Sequence, residues 1–345
     1  MCLLHCFIRE KVMYLARWMK TIETAIKVQN LTKRYPNILA VDHVSFEVYR
    51  GEFFGFLGPN GAGKTTTINM LTGVTKATSG NASISGHDVA KEPVKAKEHI
   101  GVVPDASSVY DEMTAWGNIG FSAKLHSVPK EKRESRAKEL LKIVGLYDRR
   151  NDRVGTFSRG MKKRLMITVA LVHEPEILFL DEPTTGLDVP SAREVRGLVR
   201  ELNRRGTTVF LTTHYLEEAD QCCQRIAIIA KGKIVIADTP EKLKAVAQAE
   251  QVIEVSFDPA KGAADKLKRL SHVRDVVVAG DKFRLYVEDP SETLPLIFDF
   301  ARENHLKVVS INTLKPTLED AFVKLTGLRP EILSVEKEQV MLTRG

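Results

Sequence analysis

The octapeptide Gly58-Pro59-Asn60-Gly61-Ala62-Gly63-Lys64-Thr65 is the part of this sequence best suited to chemistry. It fits the spacing of Gly, four residues, Gly, Lys and Ser or Thr that wraps a phosphate. Glycines let successive backbone N–H groups point inward, and a helix beginning at the loop adds partial positive charge. Lys64 then reaches the β- and γ-phosphates of a nucleotide, the Thr65 hydroxyl helps to hold Mg²⁺, and Thr66 is counted with them as nucleotide-binding. A second constellation, Ile177-Leu178-Phe179-Leu180-Asp181-Glu182, is an apolar run that ejects two adjacent carboxylates. Asp181 suits the coordination shell of the metal, and Glu182 suits a base that orients and polarises an attacking water. Apolar runs ending in acids are common; joined to the phosphate loop, this one points to hydrolysis of a nucleotide.

These groups need strands and helices to hold them. Residues 53–57 form a short apolar run into the glycine loop and residues 65–71 continue as helix, giving strand, phosphate loop, helix. Residues 177–180 read as a strand buried in a parallel sheet. From Ser191 onward Val195, Leu198, Val199 and Leu202 recur at helical spacing, with Gly206 placed to end the helix, and residues 207–213 return as a strand. This alternation predicts a parallel sheet with helices on its faces. Residues 26–51 predict antiparallel strands, with Val41, Val44, Phe46 and Val48 at largely strand-like spacing. Residues 105–160 are charged and helix-forming, with Leu140, Leu141, Ile143 and Val144 on a buried stripe, which predicts a helical insertion. After Pro240, a lysine- and alanine-rich helix leads into strand 252–257, helix 260–270, strands 273–278 and 283–287, helix 291–304 and strand 306–311. That βαββαβ order is the ferredoxin-like plan.

A chain of 345 residues predicts a large domain plus a smaller one. No window approaches the roughly 18–20 consecutive apolar residues of a membrane-spanning helix, so a membrane role would come through a partner. In residues 1–19 the charges of Arg9, Glu10, Lys11 and Arg17 interrupt the apolar core of a signal peptide, which predicts an amphipathic extension with Met19 as an alternative start. Cys2, Cys6, Cys222 and Cys223 do not form a disulfide framework, and a reducing compartment is expected. Cys2, His5 and Cys6 lack a second ligand pair at zinc-site spacing. The formal charge of +7 is spread along the chain and interleaved with acids, as in Lys130-Glu131-Lys132-Arg133-Glu134. A solvated helix face accounts for such a run, and no nucleic-acid partner is expected.

Phe157-Ser158-Arg159-Gly160-Met161-Lys162 resembles the signature motif of the ATP-binding cassette ATPases and stands the usual short distance before Asp181 and Glu182. The resemblance covers nearly all of residues 26–330. It implies that Ser158 and Gly160, at a helix start, bind the γ-phosphate held by the other subunit; Ser158 suits a helix cap and a helix N-terminus attracts anions. Tyr35 resembles the aromatic residue on which adenine stacks. Gly186-Leu187-Asp188 resembles the loop that links the two active sites across a dimer, and His214 the switch histidine that contacts the γ-phosphate and acts with Glu182. Two residues depart from the family pattern. Arg159 stands where glycine is usual, but Ser158 and Gly160 are kept, so phosphate binding is expected to survive. Asp105 stands where the family commonly has Gln, and is carried as a metal ligand with Thr65 and Asp181.

The segment 252–327, ending Thr317-Leu318-Glu319-Asp320-Ala321-Phe322, resembles the C-terminal extension of the drug-resistance and sodium-export branch, whose ATPases work with ABC-2-type membrane subunits. The implied architecture is an α/β P-loop cassette over residues 26–240, with helical and antiparallel β subdomains, and a small α+β domain over 241–330. Residues 1–25 are an extension and 331–345 a polar tail. The implied function is an ATP-hydrolysing subunit powering export. It uses ATP and Mg²⁺, as a homodimer or heterodimer, and sits in the cytoplasm, peripheral on the membrane's cytoplasmic face through its permease.

Overall fold

The computed structural model describes residues 23–247, 251–258, 263–314 and 317–328. The expectations for residues 1–22, including Cys2, His5 and Cys6, and for the polar tail lie outside the described residues. The chain divides into two compact units between Ala237 and Asp238. Among the described residues no helix is long and apolar enough to cross a membrane.

In the first unit β1 (Thr24–Tyr35) and β2 (Ile38–Tyr49) form an antiparallel pair, and β3 (Phe53–Leu57) runs into the glycine loop and helix α1 (Lys64–Leu71). Strands β4 (Ser79–Ile84) and β5 (His87–Asp88) extend the antiparallel sheet to the order β2-β1-β4-β5. After α2 (Pro93–Glu98) and β6 (Ile100–Val103) comes the helical segment, α3 (Ala115–Leu125), α4 (Lys130–Ile143) and α5 (Arg159–Ala170). Then follow β7 (Ile177–Asp181), α6 (Val189–Arg204), β8 (Thr208–Thr213), α7 (Leu216–Cys222), β9 (Arg225–Ala230) and β10 (Lys233–Asp238). The second sheet has the order β10-β9-β3-β8-β7-β6, with β9, β3, β8, β7 and β6 paired in parallel.

Strand β3 is buried at every position, as a central parallel strand covered on both faces must be. Its alternation puts Phe54 and Phe56 on one face, where their rings meet Phe46 of β2 and Phe210 of β8 at centroid distances of 5.5 to 5.8 Å. This phenylalanine layer joins the two sheets, and each favourable ring pair adds about 0.5–1.5 kcal/mol beyond the area it buries. Gly55 leaves room for Cys223, whose Sγ would lie 2.8 Å from a Cβ at that position.

Helix α5 starts where Ser158 accepts a hydrogen bond from the Met161 amide at 3.2 Å. Helix α6 starts at Val189, before the expected Ser191, because Asp188 accepts from the Ser191 amide at 2.7 Å and Pro190 occupies the first turn. The two starts touch. A Cβ on Gly160 would come within 2.7 Å of the Ser191 Cβ, so the first turn of α5 reaches α6 only as glycine.

The second unit holds α8 (Pro240–Ala247), β11 (Gln251–Asp258), α9 (Ala263–Leu267), β12 (Val273–Ala279), β13 (Lys282–Val287), α10 (Pro290–Glu303), β14 (Lys307–Leu314) and α11 (Leu318–Thr326). Its antiparallel sheet has the order β12-β13-β11-β14, which is the ferredoxin-like arrangement. Ile253, Val255, Phe283 and Leu285 from the sheet pack with Leu267 of α9 and with Ile297 and Phe300 of α10. Helix α8 packs on α11, inside this unit. A reciprocal cap between Thr317 and Asp320 begins α11.

Two outcomes follow from this packing. Gly160→Ala should destabilise the protein by about 1–3 kcal/mol through overpacking against Ser191. The reading is a lower denaturant midpoint at unchanged slope; a midpoint equal to the parent's would show that Ser191 yields freely. A chain ending at Thr239 keeps β10 and omits α8, and should unfold in one cooperative transition. Absence of such a transition would move the boundary.

Candidate nucleotide site

A cavity of about 360 Å³ opens where β3 and β7 end. That volume suits a small-molecule ligand, for which clefts of about 300–1,000 Å³ are usual. Pro59, Asn60, Gly61 and Gly63 form one wall, with Lys64, Thr65 and Thr66 of α1; Asp105 and Glu182 form another. Ile38, Leu39 and Ala40 of β2 and the Lys231-Gly232 turn close the remainder. These last five were not singled out from the sequence, because only the fold brings them to the loop. Gly63 has φ 107° and a Cβ there would lie 2.6 Å from the Ala40 carbonyl oxygen, so both conformation and space require glycine. No side chain caps α1, which leaves its leading amides for an acceptor from outside the chain.

Lys64 is buried and its Nζ donates to the carbonyls of Gly58 at 2.7 Å and Pro59 at 3.2 Å. The same ammonium lies 3.1 Å from Glu182 Oε1. Glu182 Oε2 meets His214 Nδ1 at 2.8 Å and accepts from the Thr185 hydroxyl at 3.2 Å. Burial pushes the Glu182 carboxyl up, but the His214 hydrogen bond and the Lys64 charge outweigh it and hold the group below the ordinary range. A charged carboxylate is the form a general base needs. The Glu182 backbone has φ 47°, a left-handed conformation uncommon outside glycine, and its N–H is held by the Thr212 carbonyl at 3.1 Å. Asp181 is buried beside it, and Thr212 Oγ1 donates to its Oδ1 at 2.5 Å.

Asp105 lines the cavity, and its carboxyl is raised by partial withdrawal from water and by the charges of Asp181 and Glu182, against the opposing charges of Lys163 and His214. Lys163 is a residue that sequence reasoning missed. It is buried on α5 and its Nζ donates to the carbonyls of Asp105 at 3.1 Å and Pro104 at 3.4 Å, pinning that loop to the signature helix. Its signal was a lysine on an otherwise apolar helix face, which seldom stays buried without partners.

Thr65, Asp105 and Asp181 offer oxygen donors only, the set that Mg²⁺ prefers. Among the described residues no group of three or more His, Cys, Asp or Glu could hold a metal ion. Glu182 Oε1 is buried, and the donor beside it is the Lys64 ammonium, 3.1 Å away.

Ser158, Gly160 and Asp188 do not line this cavity. They gather with one another instead, where Arg159 Nη1 donates to the Gly186 carbonyl at 3.4 Å and Ser191 Oγ donates to Asp188 at 3.0 Å. The hydrogen bonds of Ser191 hold the Asp188 carboxyl below its usual range. Tyr35 is also outside the lining and exposed, with Lys33 Nζ 5.0 Å from its ring centroid.

Residues 41–185 match the family described as ABC transporter, and residues 239–326 match the C-terminal domain described as ATP-binding protein DrrA1-3-like. The chain is 36% identical over 305 residues to the linearmycin resistance ATP-binding protein LnrL of Bacillus subtilis (strain 168), covering 88% of this chain and 98% of that protein. It is 36% identical over 317 residues to the daunorubicin/doxorubicin resistance ATP-binding protein DrrA of Streptomyces peucetius, covering 91% and 96%. A solved structure of the ATP-binding cassette MJ0796, a dimeric post-hydrolysis state bound to ADP and Pi, aligns with a TM-score of 0.57 at 28% identity, covering 62% of this chain and 98% of that one. The chain belongs to the ABC transporter family, as an ATP-binding subunit with ATPase activity and a DrrA-like C-terminal domain.

Proposed function

We propose that this ATPase powers export by closing on MgATP as a dimer and reopening after hydrolysis. The observation that carries the reading is the contact chain from Lys64 and Glu182, which line the cavity, to His214 behind Glu182. When ATP enters, the Lys64 ammonium exchanges the carbonyls of Gly58 and Pro59 and the Glu182 carboxylate for β- and γ-phosphate oxygens. Glu182, still oriented by His214, then takes the proton of the attacking water. Thr65 and Asp181, with Asp105 as a third donor, would hold Mg²⁺, which would offset charge on the phosphates. The wall of Asn60 and Gly61 presents backbone N–H groups to the phosphates, with Pro59 shaping the loop and donating none, and Tyr35 stacks on adenine.

Ser158, Gly160 and Asp188 serve the nucleotide of the opposing subunit, which explains why they gather away from this cavity. Ser158 caps the helix whose N-terminus faces that phosphate, and Asp188 links the two sites. One chain carries both kinds of half-site, so a homodimer suffices, and a related subunit could serve in its place. The cassette occupies residues 26–240 and the accessory domain 241–330. The relatives named for drug resistance and the DrrA-like domain support separate ABC-2-type membrane subunits as partners, and hence a peripheral position on the cytoplasmic face.

Glu182→Gln should keep ATP binding and slow hydrolysis by roughly 100-fold or more, the scale of a lost acid/base group. Phosphate release by the purified variant is the measurement, and a near-normal rate would remove Glu182 from the role of base. Asp105→Gln should leave turnover within about a factor of ten, because Mg²⁺ takes only one or two carboxylates plus phosphates. Collapse of activity in folded protein would make Asp105 an essential ligand.

A further inference from the structure

Glu218 lies on α7, and no step of the proposed hydrolysis uses it. It is 2% exposed. A buried carboxyl without partners is unfavourable, and this one is partnered at two informative places. Its Oε2 accepts from Thr184 Oγ1 at 3.1 Å and from Thr213 Oγ1 at 2.9 Å. Thr184 stands two residues after Glu182, and Thr213 immediately precedes His214. Both threonines are themselves buried. The Thr213 hydroxyl also accepts from the Tyr215 amide at 3.0 Å, so its single proton is committed to Glu218.

The ladder between β7 and β8 ends at Asp181 and Thr212. Glu182 and His214 therefore meet on chain that has already left the sheet. One carboxylate oxygen receives a hydroxyl from each departing segment just there. We propose that Glu218 is a positioning residue, tying the exits of β7 and β8 so that Glu182 and His214 stay in register. This rests on the assignment of Glu182 as base and His214 as its orienting partner. Burial raises the Glu218 carboxyl, while the two threonine hydrogen bonds and the Arg196 charge oppose the rise. Oε2 can accept both hydroxyls whether or not the other oxygen carries a proton.

The test measures kcat and KM for MgATP in full-length protein carrying Glu218→Gln, Glu218→Met or Thr184→Val. The Gln amide oxygen can take both hydroxyls, so this variant should stay within about threefold of the parent in kcat. Met fills similar volume without an acceptor, and Val replaces Thr184 without the donor. Each of these two should lower kcat by about tenfold, with KM within about twofold, as expected for loss of an interaction that aligns the transition state. If Glu218→Met does not fold, Thr184→Val carries the same prediction with a smaller perturbation.

Unchanged kcat in Thr184→Val, or a Gln variant that falls as far as Met, overturns the proposal. So does a loss confined to thermal stability, with normal turnover per folded molecule. Glu182→Gln in the same assay separates the two claims. Normal hydrolysis there removes the base and with it the group to be positioned. An inactive Glu182→Gln beside an active Thr184→Val overturns the role of Glu218 alone.

Discussion

The parallel register of β3, β8 and β7 is the constraint from which the site follows. Leu57 pairs with Thr213 and Asp181 pairs with Thr212, so the three strands finish at one level. The glycine loop leaves β3 there, Glu182 leaves β7, and His214 leaves β8. Ligands of open α/β sheets bind at this edge because loops with free backbone groups converge on it. Slipping one strand by a residue would exchange its buried faces, and the all-buried β3, β7 and β8 leave no tolerance for that.

Holding that register is chiefly the work of the apolar layer. Phe46, Phe54, Phe56, Phe179 and Phe210 interlock, with neighbouring ring centroids between 5.3 and 5.9 Å apart. They join β2 of one sheet to β3, β7 and β8 of the other. The rigidity so obtained sustains one unfavourable conformation, the left-handed backbone at Glu182. Such a residue costs on the order of 1–3 kcal/mol and persists only where the surroundings over-determine it. Here the Thr212 carbonyl and hydroxyl both take the Glu182 amide, at 3.1 and 3.2 Å.

Much of this was legible in the sequence because the chemistry sits in consecutive residues. The phosphate loop and the Asp181-Glu182 pair are local patterns, and the βαββαβ order after Pro240 follows from alternating periodicity. Groups that act across the fold left no such trace. Thr212, Thr213 and Lys231 look ordinary in sequence and gain meaning only from parallel pairing or a distant turn. Resemblance singled out Tyr35 for adenine, and its place at the β1–β2 turn was readable from local strand patterning. Helix α6 starts at Val189, two residues before the expected Ser191, because Asp188 caps it and Pro190 occupies its first turn.

The ionic side chains around the cavity balance one another: Lys64 and Lys231 against Asp105 and Glu182. With the formal charges of the lining offset in this way, the amide dipoles of the glycine loop are the unopposed attraction that the wall itself offers a phosphate. The balance also favours an incoming nucleotide that brings its own counter-charge. A bare triphosphate meets the Glu182 carboxylate with its full negative charge, whereas one bound to a divalent cation meets it with that charge partly offset.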